Sequence, residues 1–195
     1  MTPLSQFYRD VLTGNGNKLL TEIQRGLEKE GLRVTSASAM LSQSPHPTSL
    51  GSALTHPSIT TDYSEALLEF ITPVSTDIEI GLAQLEDIQR YTAAKLDGEI
   101  VWGASMPCIV AGDNSIPIAN YGSSNVGMMK RVYRNGLGAR YGRMMQAIAG
   151  IHYNFSMPDS FWQASWELAG SPGSLQDFKT EGYLGLIRNF FSNVW

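Results

Sequence analysis

The chain has 195 residues, 43% of them hydrophobic and 16% charged, with a formal net charge of −4. That length and apolar content supply one sizeable core and exclude a disordered tail, and the lack of any strongly basic stretch argues against nucleic acid as a partner. The single cysteine, Cys108, rules out an internal disulfide framework and suits a reducing, cytoplasmic compartment; no signal peptide or membrane-length apolar run is evident.

Taken in chain order, Phe7, Val11, Leu12, Leu19, Leu20 and Ile23 predict short helices interrupted at Gly14 and Gly16. Residues 23–34 read better as a strand. Gly26 and Gly31 weaken a helix there, and Leu27 and Lys29 alternate with Glu28 and Glu30. The Ser-, Pro- and Gly-rich residues 42–51 read as a surface loop, and 66–72 as an apolar strand closed by Pro73. Thr76 followed by Glu79 fits a capping box opening the helix marked by Ile78, Leu82, Leu85, Ile88, Thr92 and Leu96. Residues 100–111 read as a strand, with Pro107 at an edge or an end. Residues 128–147 read as helix, split at Asn135, Gly136 and Gly138, and 148–156 return to alternation. At the chain's end Tyr183, Leu184, Ile187, Phe190, Phe191 and Val194 form an apolar helical stripe that reaches Trp195 without a glycine cap. Two readings stand for that stripe, a final helix docked on the core or truncation of a longer chain, and truncation is the one expected. Mixed helix and strand patterns predict an α+β layer of sheet and helices.

Few residues could carry chemistry. Glu28 and Glu30, two apart on a strand, direct both carboxylates to one face, where they repel unless solvated or bridged by a cation. Taken alone, an exposed strand face salted by Arg25 and Lys29 explains them better. Glu69 shares a face with Leu67 and Ile71 and needs an arginine, a lysine or a metal; a structural salt bridge is an equal reading. Asp62 reads equally as a turn or cap residue. His152 lies in an alternating segment with Ile148, Gly150 and Asn154 on its face, and by itself is a structural histidine. His46 and His56 adjoin prolines and are assigned no role, and Cys108 reads as a small buried apolar residue. A Walker-type loop, CxxC pairs, HExxH and GxSxG are absent, and GLGARYG at 136–142 lacks dinucleotide-binding spacing.

Several stretches in order resemble the proteobacterial-type glutamate–cysteine ligases: IQRGLEKEGLRV (23–34), LGSALTHPSITTDYSEALLEFITP (50–73), SMPC (105–108), YGSSNVG (121–127), YRNGLGARYG (133–142), GIHYNFS (150–156) and GYLGLIRNFF (182–191). The resemblance covers nearly the whole chain. Lys29 and Gly31 depart from the arginine and threonine more usual in the family.

The resemblance implies an α+β fold similar to glutamine synthetase and the guanidino kinases, a curved, largely antiparallel sheet backed by helices and incomplete in this chain. Residues 1–195 are then the N-terminal part of a single catalytic domain. It implies an ATP- and Mg2+-dependent ligation of L-glutamate, through its γ-carboxylate, to L-cysteine by way of a γ-glutamyl phosphate, the first step of glutathione biosynthesis. By this likeness Glu30, Asp62 and Glu69 hold one magnesium, and Glu28 and His152 contribute to another beside the ATP phosphates. Tyr133, Arg134 and Ile148 fall at the cysteine pocket, as an aromatic wall, a cation for the carboxylate and an apolar floor. A helix-packing aromatic and a core isoleucine are the alternatives for Tyr133 and Ile148. Family members run well past this length, so the isolated chain is expected to be inactive. Another carboxylate–amine ligase of the same fold, or a non-catalytic metal- or nucleotide-binding remnant, are the competing readings.

Overall fold

The computed structural model describes residues 2–13 and 17–194. In chain order the elements are α1 (Pro3–Leu12), α2 (Asn17–Thr21), β1 (Gln24–Thr35), β2 (Ile59–Thr61), β3 (Leu67–Ile71) and α3 (Ile78–Lys95). There follow β4 (Glu99–Val101), α4 (Asn125–Tyr141), β5 (Ile151–Ser156), α5 (Asp159–Leu168) and α6 (Leu175–Asn193). The architecture is α+β, as the mixed sequence patterns predict. The chain divides into two compact units, Arg25–Asn154 and Met1–Gln24 with Phe155–Trp195.

The unit Arg25–Asn154 is built on a sheet of order β2-β3-β1-β4, with β5 also pairing to β1. The β1–β3, β1–β4 and β2–β3 pairs are antiparallel. Strand alternation sorts β3 into two faces. Leu68 and Phe70 join Leu50 and Ile59 in a buried cluster that Leu85 and Ile88 of α3 cover. Leu67 faces the other way, into a second cluster with Leu32, Leu41, Tyr63, Ala66, Ile116, Ala147 and Ala149, against which Cys108 and Leu137 pack. Burying each such leucine contributes about 1.5–3 kcal/mol over leaving it in water. Cys108, expected as a small buried apolar residue, is partly buried against this cluster, and burial raises its thiol pKa.

Arg33 is fully buried on β1. It pairs with Glu99 at 2.5 Å and donates to the carbonyls of Ser44, Pro45 and Glu65, which fixes the 42–51 loop.

Three expectations need correction. The cap of α3 is Asp77, whose carboxylate accepts from the Glu79 and Ile80 amides, and not Thr76. Residues 100–111 do not form one long strand. After Val101 the chain leaves the sheet, because the β1 edge is already taken. Leu32 accepts from the Trp102 amide, but Glu30, the next β1 residue facing that edge, gives its N–H to Gly150. The helix at 128–147 is not split at Asn135, Gly136 and Gly138; α4 runs unbroken to Tyr141 and stops where Gly142 takes φ +80. Gly138 serves close packing instead, since a Cβ there would lie 2.4 Å from the Tyr63 hydroxyl oxygen.

In the other unit, Thr2 caps α1 and Pro3 opens it. Phe7 and Tyr8 pack against Phe161, and Trp162 against Phe178 and Tyr183. Along α6 the residues Leu184, Ile187, Phe190 and Phe191 are exposed, as is Val194 just after it. The helix break read at Gly14 and Gly16 lies outside the described residues. No described helix is long and apolar enough to cross a membrane.

Candidate metal centre

The unit Arg25–Asn154 carries all five acidic and imidazole groups that the sequence singles out. Glu28 and Glu30 sit on the same face of β1, and the register sets Glu30 directly opposite Glu69 on β3. The Glu30 amide points to the far edge, toward Gly150, so Glu30 and Glu69 form a non-hydrogen-bonded antiparallel pair. Side chains approach closest in such pairs, and like charges directly opposite destabilise a sheet. Asp62 follows β2, whose Thr60 is the other neighbour of Glu69.

On the opposite edge β5 presents His152 and Asn154. His152 Nδ1 lies 3.1 Å from one carboxylate oxygen of Glu28, and the Asn154 amide donates to the other at 2.8 Å. The Gly150 N–H donates to Glu30 Oε2 at 2.6 Å, and the Glu30 amide returns a bond to the Gly150 carbonyl at 3.0 Å. Ligand atoms of Glu28, Glu69 and His152 come within 4.8 Å of one another.

The electrostatics follow from this crowding. Burial, then Asp62, Glu28 and Glu30, push the Glu69 carboxyl up to about 7. Burial also raises Glu30, although the Gly150 amide pulls the other way and Asp62 adds to the rise. His152 is raised, first by its hydrogen bond to Glu28. Among the described residues no lysine or arginine forms an ion pair with Glu30, Glu69 or Asp62. A structural salt bridge for Glu69 is therefore not what the fold provides. Oxygen donors with one imidazole, crowded without a lysine or arginine partner among the described residues, fit a hard divalent cation of the magnesium kind.

Tyr133, Arg134 and Ile148 are placed differently. Tyr133 and Ile148 are exposed, so neither is a core residue. Arg134 is buried at 9% exposure, with Nε donating to the Asp62 carbonyl at 2.5 Å and Nη1 to the Lys130 carbonyl. Its guanidinium lies 4.8 Å over the Tyr121 ring, and the Tyr121 hydroxyl donates to the Thr61 carbonyl at 2.6 Å. Arg134 and Tyr121 together hold the turn that carries Asp62. Sequence reading missed Tyr121, Asn154 and the Gly150 amide. Asn154 could have been found from its shared face with His152; a backbone N–H and the 60-residue separation of Tyr121 from Thr61 leave no signal. His56, without an assigned role, accepts from the Ser58 and Ile59 amides and shapes the entry to β2.

The family model described as glutamate-cysteine ligase matches residues 10–195. A glutamate–cysteine ligase of Saccharophagus degradans is 53% identical over 195 residues, covering 100% of this chain and 37% of the relative. One from Pseudomonas aeruginosa is 55% identical over 177 residues, covering 91% of this chain and 33% of the relative. Among solved structures, the Francisella tularensis glutamate–cysteine ligase in complex with AMP has a TM-score of 0.73 and 44% identity, covering 77% of this chain and 30% of that one. A bifunctional glutathione synthetase from Pasteurella multocida has a TM-score of 0.81 and 31% identity, covering 92% and 23%. The chain spans about a third of the length of the curated relatives it matches.

Proposed function

The chain belongs to the glutamate–cysteine ligase family, and from that premise we propose that it is the metal- and nucleotide-binding part of an enzyme joining the γ-carboxylate of L-glutamate to the amine of L-cysteine at the expense of ATP. The observation that carries this reading is the convergence of Glu28, Glu69 and His152 within 4.8 Å, beside the opposed pair Glu30 and Glu69. An AMP complex of a structural relative supports a nucleotide as ligand of this fold. The setting proposed is the cytoplasm, and residues 1–195 are proposed as the N-terminal part of one catalytic domain.

Glu28, Glu30, Asp62, Glu69 and His152 would hold magnesium. A bound magnesium offsets the charge of the ATP phosphates and of the carboxylates around it. The chain's own residues do the positioning that phosphoryl transfer to a carboxylate mainly requires. β5 holds the two carboxylates of β1 from one edge, and β3 sets Glu69 across from Glu30. Glu69, whose carboxyl is pushed up to about 7 by burial and its acidic neighbours, would hold a cation as the carboxylate. Transfer of the ATP γ-phosphoryl group to the glutamate γ-carboxylate would release ADP, and attack of the cysteine amine on that acyl phosphate would form the amide bond and release phosphate. Tyr133 and Ile148 are exposed and free to line the cysteine pocket. Arg134 keeps Nη2 without a hydrogen bond among the described residues, available for a substrate carboxylate while Nε and Nη1 fix the turn.

Since the chain spans a third of its relatives, it is proposed not to ligate alone. The test joins it to the remaining two thirds of the Saccharophagus degradans relative and measures ADP release. The chimera releases ADP only with glutamate, cysteine and Mg2+ present, and Glu69→Ala abolishes the release. Turnover by the 195-residue chain alone, or a chimera indifferent to Glu69→Ala, refutes the reading.

A further inference from the structure

The hydrogen bonds from β5 leave each β1 carboxylate with restricted freedom. Both oxygens of Glu28 carry a partner, the Asn154 amide at 2.8 Å and His152 Nδ1 at 3.1 Å. One oxygen of Glu30 carries the Gly150 N–H at 2.6 Å. A carboxylate can accept about four hydrogen bonds or metal contacts in all, two on each oxygen. Donors already seated on it fix its plane and oppose the rotation needed to bring both oxygens onto one cation. Calcium takes about six to eight oxygens and uses bidentate carboxylates freely, whereas magnesium is held by single oxygens in a tight octahedron.

We infer that Asn154 is a positioning and specificity-determining residue, which holds Glu28 as a one-oxygen donor and so favours magnesium over calcium; the inference rests on the metal reading given above. Asn154 is exposed on a strand and bonds through its side chain amide to Glu28, 126 residues earlier in the chain. Its removal takes away one donor and leaves the β1–β5 backbone pairing intact. His152 alone cannot do the same. Its single contact lets the Glu28 carboxylate swing about that one oxygen. Gly150 provides the matching restraint on Glu30 through the backbone, where no side-chain substitution can delete it. The two restraints act on neighbouring ligands two residues apart, and only the Asn154 one is open to mutation.

The test measures Mg2+ and Ca2+ binding to the 195-residue chain by calorimetry, for wild type, Asn154→Leu, Asn154→Ala and Asn154→Gln. Leucine keeps the volume without the N–H, and alanine replaces it should leucine impair folding. Glutamine keeps an amide donor. Wild type is expected to prefer Mg2+. The leucine and alanine variants lose about tenfold in Mg2+ affinity, the range typical of deleting a partner behind a metal ligand, while Ca2+ affinity holds, so the ratio of the two falls by the same factor. Glutamine restores most of the ratio. An unchanged ratio, or a parallel loss for both ions, overturns the role of Asn154 and leaves the metal site standing. A wild-type chain that binds neither ion overturns the metal assignment itself, and this inference with it.

Discussion

Replacing Glu69 by glutamine separates what the acidic cluster costs the fold from what it does for a cation. The carboxyl is pushed from 4.5 up to about 7 by burial and by Asp62, Glu28 and Glu30. A folded-state pKa above the unfolded one means the native state holds the proton more tightly. The contribution to stability is therefore whole below about pH 4.5 and is lost as pH rises through about 7. At about 1.4 kcal/mol per unit, the full shift would correspond to about 3 kcal/mol. Glu69 is only partly buried, so solvent screening reduces this to about 1–2 kcal/mol. The expected outcome is that metal-free Glu69→Gln is more stable than wild type at about pH 8 by that amount, with the difference shrinking toward zero near about pH 4.5. Urea unfolding followed by tryptophan fluorescence at several pH values measures it. Added Mg2+ then stabilises wild type more than the variant. A glutamine variant less stable than wild type at alkaline pH, without metal, would refute the reasoning that Glu69 is held at a cost.

Other substitutions address the scaffold. Gly150→Ala puts a Cβ 3.1 Å from His152 Nε2 and 3.5 Å from Glu30 Oε2, so Mg2+ affinity falls while the melting temperature changes little; calorimetry beside a thermal melt checks both. Gly138→Ala has no room beside the buried Tyr63 hydroxyl, at 2.4 Å, and costs about 1–3 kcal/mol in urea unfolding despite the better helix propensity of alanine. Glu99→Gln strips the fully buried Arg33 of its counter-charge and destabilises by about 3–5 kcal/mol, whereas the double change with Arg33→Met recovers much of that loss. Stability of the single variant within about 0.5 kcal/mol of wild type would show that the carbonyls of Ser44, Pro45 and Glu65 suffice for the guanidinium.

Much of the architecture was legible because strand and helix periods differ. The alternation of Leu27 and Lys29 with Glu28 and Glu30 marks β1, and the spacing from Ile78 to Leu96 marks α3. The misreadings share a cause. Gly136 and Gly138 look like breaks when only propensity counts, but Tyr63, more than seventy residues earlier, needs the space that a Cβ at Gly138 would fill. The 100–111 run is apolar enough for a long strand, yet the β1 edge it would pair with is given to Gly150. At the cap of α3, Thr76 and Asp77 are both competent, and the backbone geometry selects Asp77.

The same division holds at the metal centre. Residue periodicity places Glu28 and Glu30 on one face, Glu69 in an apolar strand and His152 in an alternating segment; ordered family-like stretches join them to a ligase. It takes the folded sheet to set Glu69 opposite Glu30, to bring His152 and Asn154 of β5 onto Glu28, and to turn Arg134 inward onto the Asp62 turn. The physical reason is range. Periodicity reports which way a side chain points from its own element. Pairing register, and the burial and repulsion that shift Glu69, depend on residues tens to more than a hundred positions away.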